Sequence, residues 1–130
     1  GQAEEALPVL EAELALERRY WSDHPAVLGV QGNLAWCLDE VGRVDEALVL
    51  YREVYANWVA LRGVSHESTI LSGCNQTTLL IKMSAWQEAN PFMRDQLLPV
   101  ARHSLGPDHD LTLKLEQRLS LGLVAEAPRD

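Results

Sequence analysis

Apolar residues recur along this chain at intervals of three and four, and no segment shows the strict alternation of a half-buried strand. Ala6, Leu7, Leu10 and Leu14 share one face of a predicted helix over residues 3–21, with Tyr20 extending that face. Pro8 costs little there if the helix begins around Glu5 or Ala6, because its missing N–H then falls among groups without an intrahelical partner. Ser22 or Asp23 is the expected cap of a second helix, about 24–41, with Pro25 in its first turn and Gly42 closing it in the left-handed conformation. The third helix, about 44–61, places Ala47, Leu50, Tyr51, Val54, Trp58 and Leu61 on one face, and Gly63 ends it.

Ser65 is expected to cap a fourth helix over about 66–83. Its Thr69, Ile70, Thr77 and Thr78 are weak helix formers, so packing must hold it. The fifth, about 85–105, carries Pro91 near its start and Pro99 in its interior, and Pro99 is expected to kink or break it. The last runs from about 108 to 122, and residues 123–130 read as a polar tail. The pattern predicts an all-α antiparallel stack of about six helices.

The stack repeats itself. Gly1-Gln2-Ala3-Glu4-Glu5-Ala6-Leu7 returns 41 residues later as Gly42-Arg43-Val44-Asp45-Glu46-Ala47-Leu48, and Glu88-Ala89 follows Glu46-Ala47 by 42. Asp23-His24-Pro25, Ser65-His66-Glu67 and Asp108-His109-Asp110 are a second marker set at 42 and 43 residues, and Asn33 and Asn75 lie 42 apart. Two independent marker sets with one period define helix-pair repeats. Gly1 occupies the place of Gly42, so the chain is expected to begin in mid-motif as a piece of a longer protein. One repeat cannot cover its own apolar face and about three are needed, so the piece is expected to lean on flanking repeats or on a partner.

At these residues the chain resembles the tetratricopeptide repeat (TPR) family, in its longer variety of about 42 residues found in kinesin light chains. The resemblance rests on Asn33-Leu34-Ala35, on Gly42-Arg43-Val44-Asp45-Glu46-Ala47, on Ala47-x-x-x-Tyr51 and on Leu105-Gly106-Pro107-Asp108-His109, and covers nearly all of residues 1–122. Departures are Asn75-Gln76-Thr77 for Asn-Leu-Ala, Ser84-Ala85-Trp86 for the glycine turn, and Arg118-Leu119-Ser120 in the last copy. The resemblance implies a solenoid of antiparallel helix pairs, small Ala35 and Ala47 letting the paired helices approach, and a groove lined by the first helix of each pair. It also implies that the Asn before Leu-Ala meets the backbone of a bound peptide, as an amide that both donates and accepts can.

Carried over by position, that role falls to Asn33 and Asn75, with Trp36 and Thr78 one turn on and Lys82 a further turn beyond Thr78. Gln117, Arg118 and Leu121 take the matching places in the last helix. Helical phase agrees, since Asn33, Trp36 and Glu40 form a stripe opposite Leu34 and Leu38. Trp36 reads equally as an anchor for a partner or as a residue packed against the next repeat. The cluster Glu4, Glu5, Glu11, Glu13 and Glu17 reads as a solvated face.

Net charge of −8 and a pI near 4.9 argue against nucleic acid or an anionic membrane as partner. No apolar run is long enough to span a bilayer, and no leader-like segment opens the chain. Cys37 and Cys74 lie inside helical patterns without a C-x-x-C, which reads as buried or groove-lining reduced thiols and a cytoplasmic setting. His24, His66 and His109 each follow an expected cap and recur with the repeat, so they line one edge and do not converge on a metal. His103 suits a helix C-terminus. Neither cysteine has a base and oxyanion site in its motif, and no phosphate-loop, dinucleotide, zinc-protease or serine-hydrolase signature occurs. The chain therefore reads as a non-catalytic protein without cofactor or metal. It either binds a peptide or protein segment in its groove or serves as a structural subunit of a larger assembly. A region accessory to an enzyme outside it is the weaker third reading.

Overall fold

The computed structural model describes residues 1–21 and 24–128, the side chains of Tyr20 and Trp21 excepted. Every regular element among them is helical: α1 (Gln2–Trp21), α2 (Pro25–Glu40), α3 (Val44–Arg62), α4 (Glu67–Lys82), α5 (Trp86–Pro91), a π-helical segment (Phe92–Leu97), α6 (Leu98–Ser104) and α7 (Asp110–Ala125). Since α5, the π segment and α6 run on without a turn, these make six helical rods. Contacts group the chain into two compact units, Gly1–Trp58 and Val59–Asp130.

The helix starts correct the sequence reading. Ser65 and Asp108 precede the caps; the caps are His24, His66 and His109, each extended at ψ 139–143°. Each imidazole Nδ1 accepts the backbone N–H two residues on, from Ala26, Ser68 and Leu111 respectively, at 3.1 Å. An acceptor Nδ1 carries no proton, so each neutral ring is the Nε2–H tautomer. The ring nitrogen supplies what a Ser or Asp oxygen usually supplies to an orphan N–H of the first turn. Ser22 and Asp23 lie outside the described residues, as does the Tyr20 side chain expected on the face of α1.

The helix ends follow the turn chemistry. Gly42 takes φ 87°, with Arg43 N–H bonding Leu38 C=O at 2.8 Å and Gly42 N–H bonding Asp39 C=O at 3.0 Å. That pair of bonds is a Schellman closure. Ser84, where the glycine is missing, makes the same closure at φ 57°, through Ala85 to Leu80 and Ser84 to Ile81. Tertiary geometry thus imposes a left-handed conformation that the residue does not favour.

The prolines depart from expectation. Pro8 sits well inside α1, because that helix starts at Gln2. Pro99 does not end its rod: it stands in the first turn of α6, directly behind a π segment that interrupts the α-helical bonding. A π turn shifts the bonding register by one residue, which is one way a helix absorbs a missing N–H. The last helix continues through Ala125, into the segment read as tail.

In the first unit, α2 packs along α1, and Leu14, Leu28, Leu34, Ala35, Leu38 and Ala47 are buried. Ala35 and Ala47 are both 0% exposed, as their small side chains suggested, while Tyr51 is only half-buried. In the second, α4, α5 with the π segment and α6, and α7 pack around Ile70, Leu79, Leu80, Met93, Leu97 and Leu115. Gly73 lets α4 meet the π segment closely: a Cβ there would lie 2.5 Å from Leu97 Cδ2.

Candidate docking groove

Within the first unit, side chains of α1 and α2 line an open groove of about 540 Å³. From α2 come Asn33, Trp36 and Cys37; from α1 come Gln2, Glu5, Ala6, Val9 and Leu10. Three- and four-residue spacing puts each set on one side of its helix. Its lining is mostly apolar, with Trp36 51% and Val9 65% exposed, and Gln2, Glu5 and Asn33 add polar groups. Large side chains held in water beside hydrogen-bonding groups are what a docking surface presents before its partner arrives.

Asn33 and Trp36 are thus brought together, and the groove accounts for the exposure of Trp36. Glu40, on the last turn of α2, is exposed but is not among the groove's lining residues. In the second unit, Asn75, Thr78 and Lys82 lie exposed along one side of α4, and Thr78 Oγ1 donates to Cys74 C=O at 3.0 Å, a bond back into its own helix. Gln117 and Leu121 are exposed on α7.

Arg118 departs from the outward stripe. Its guanidinium Nη1 reaches from α7 to α4 and donates to Cys74 C=O and to Thr77 Oγ1, both at 3.0 Å. Burial pushes this guanidinium below its ordinary basicity. The physical reason is local: Thr77 Oγ1 and Cys74 C=O present acceptors on a buried face of α4, and a long cationic side chain satisfies both. Arg118 therefore clamps two helices together.

The acidic cluster on α1 also divides. Glu5 lines the groove and Glu11 stands 3.7 Å from Arg43, whereas one carboxylate oxygen of Glu17 is buried without a hydrogen-bond partner. Exposed pairs such as Arg18–Glu53, at 3.4 Å, contribute little. The α1 wall was not legible as a site. Val9 breaks the buried pattern of α1 and Leu10 belongs to it, but only the folded chain shows both lining one space with residues of α2.

Both thiols are buried and free. Burial pushes each up from its ordinary value, with Glu40 adding to the effect at Cys37 and with Arg118 and Lys114 opposing it at Cys74. Thiols held protonated in this way are poor nucleophiles. Burial, with Asp39 and Glu40 nearby, raises the Tyr51 phenol to about 12. Among the described residues no group of three or more His, Cys, Asp and Glu side chains could hold a metal ion, and no helix is long and apolar enough to cross a membrane. His103 lies exposed in the last turn of α6.

The geometry defines an all-α fold of TPR-like helix pairs. No family model matches the chain, and no curated protein does. Among solved structures it is similar to a Podosopora anserina protein named for kinesin light chains and built of nearly identical TPR-like repeats. The TM-score is 0.83 at 26% identity, over 96% of this chain and 59% of that one. A point variant of the same protein matches with a TM-score of 0.84, at the same identity and coverage. The chain thus spans under two thirds of the length of these two structures.

Proposed function

We propose that this chain is a non-catalytic protein-interaction module and that the α1–α2 groove is where it takes a peptide or protein segment. The observation that carries the reading is the groove itself, lined by half-exposed Trp36, by Asn33 and by apolar side chains of α1. A desolvated aromatic anchor with an adjacent donor–acceptor amide is the arrangement from which interfaces draw most of their binding energy. Asn75, Thr78, Lys82 and Gln117 form a second, more polar surface in the other unit, and Glu40 extends the α2 stripe. A TPR-like fold favours protein partners, the acidic balance disfavours nucleic acid, and the raised thiols favour no covalent chemistry. A cytoplasmic setting is consistent with two buried reduced thiols.

The test is a peptide-array or pull-down screen with the 130-residue chain, repeated with Trp36→Ala and Asn33→Ala. Both residues are exposed, so the variants keep their fold. A partner should lose at least tenfold in affinity with Trp36→Ala, the usual cost of an aromatic anchor. A partner that binds the double variant as tightly as the parent does not use the groove, and the reading fails.

A further inference from the structure

Three helices of this chain start on an imidazole, and that makes their starts sensitive to protons. A Ser, Asn or Asp cap keeps its acceptor oxygen throughout the neutral range of pH. An imidazole cap does not, because the Nδ1 lone pair that accepts a backbone N–H is the one a proton takes, and imidazoles titrate between about pH 5 and 8. Once protonated, Nδ1–H confronts an N–H, and the ring puts positive charge beside the positive end of the helix dipole.

His109 is a cap with a second place to go. Its Nδ1 accepts the Leu111 N–H at 3.1 Å, while Nε2 stands 3.7 Å from Glu67 Oε1 in the first turn of α4. At that distance the neutral ring makes no hydrogen bond to the carboxylate. The imidazole is 32% and the Glu67 side chain 66% exposed, so both have room to close on each other. Asp108 and Asp110 flank the ring in sequence. From α6, Arg102 is held by Glu116 at 3.0 Å, and His103 lies exposed in the last turn. α5 and the π segment carry Glu88, Arg94 and Asp95; α5 meets α7 at Gly122, near the other end of that helix, and Arg94 and Asp95 hold each other. An imidazolium that leaves the cap therefore finds the Glu67 carboxylate within reach.

What the cap holds is buried. Leu111 is 9% and Thr112 0% exposed, and both lie in the first turn of α7. Releasing the Leu111 N–H adds an orphan donor to that turn and loosens the stretch that carries these two side chains inward.

We propose that His109 is a proton-operated latch on α7: neutral, it caps the helix; protonated, it lets go of the Leu111 N–H and pairs with Glu67 on α4. The capped form is complete at the alkaline end of the imidazole range and is lost as pH falls through it. A helix start of this kind responds to acid near neutrality, where the usual capping residues are indifferent.

Nuclear magnetic resonance on the isotope-labelled 130-residue chain, from about pH 8 to 5, tests this. The imidazole nitrogen signals should place the proton on Nε2 at high pH. As the ring takes up its second proton, the Leu111 amide proton should move upfield along the same curve. Its exchange protection, corrected for the pH dependence of exchange itself, should fall about fivefold, the usual worth of a cap. His109→Asn, which keeps an acceptor, should hold the Leu111 signal still over the whole range. Glu67→Gln should require more acid for the same release. A ring that takes up its proton without disturbing Leu111, or stays neutral to the end of the titration, overturns the inference. So does a Leu111 response that persists in His109→Asn, or a Glu67→Gln titration identical with that of the parent chain.

Discussion

Gly122 gives the sharpest test of how the second unit is packed. It lies in α7, where glycine to alanine ordinarily gains about 1 kcal/mol of helix stability. A Cβ at this position, however, would overlap Asn90 Oδ1 and stand 2.8 Å from Trp86 Cε3. Asn90 is 1% exposed and its amide nitrogen is held by Glu126, so the group cannot swing away freely. Overpacking of this kind costs about 1–3 kcal/mol and occasionally more. Gly122→Ala should therefore destabilise the chain by up to about 2 kcal/mol after the propensity gain of about 1 kcal/mol is subtracted.

Gly29 is the control, helical and exposed with nothing within 4 Å of the methyl that alanine would add, so Gly29→Ala should stabilise by about 1 kcal/mol. Asn90→Ala removes the obstructing oxygen, which has no hydrogen-bond donor of its own. The double variant should then recover at least about 1 kcal/mol relative to the sum of the single changes, the size expected of residues in contact. Urea unfolding followed at 222 nm reads all four differences. A stabilising Gly122→Ala, or strict additivity with Asn90→Ala, would refute the close approach of α5 and α7.

Three further outcomes follow from the caps, the turn and the buried phenol. His109→Ala should cost about 1 kcal/mol in the same assay, whereas His109→Asn, which keeps an acceptor for the Leu111 N–H, should cost a few tenths; equal losses would show that the ring only packs. Ser84→Gly should stabilise by about 0.5–1 kcal/mol, because it removes a left-handed residue bearing a Cβ; a loss of stability would show that the Ser84 side chain contributes something the turn geometry does not. Tyr51, whose phenol is raised to about 12, stays protonated in the folded chain while the unfolded chain releases its proton near 10. The folded state then binds more protons, so stability is intact below about pH 10 and declines toward 12. Alkaline melts should show that decline, and Tyr51→Phe should flatten it; an unchanged slope would place the phenol in water.

The helical rods, their repeat and their all-α class were legible because a period of three to four apolar residues admits few other structures, and Gly42, Gly63 and Gly106 mark turns that need a left-handed residue. The caps were one residue off: Ser65 and Asp108 have the usual capping chemistry, but only the folded backbone shows that the next residue, a histidine, turns its Nδ1 onto the helix. Ser84 was readable as a departure from the glycine turn and not as a residue that would make the turn regardless. Asn33 and Trp36 could be placed on one stripe from phase alone. Their α1 wall, and the withdrawal of Arg118 into a clamp on α4, could not, because both depend on how far neighbouring helices splay. Sequence by itself determined the helices, their all-α class and the apolar stripe that each helix carries, since these follow from local periodicity. Tertiary structure decided which outward residues face a shared space, since that depends on angles between helices that no local pattern encodes.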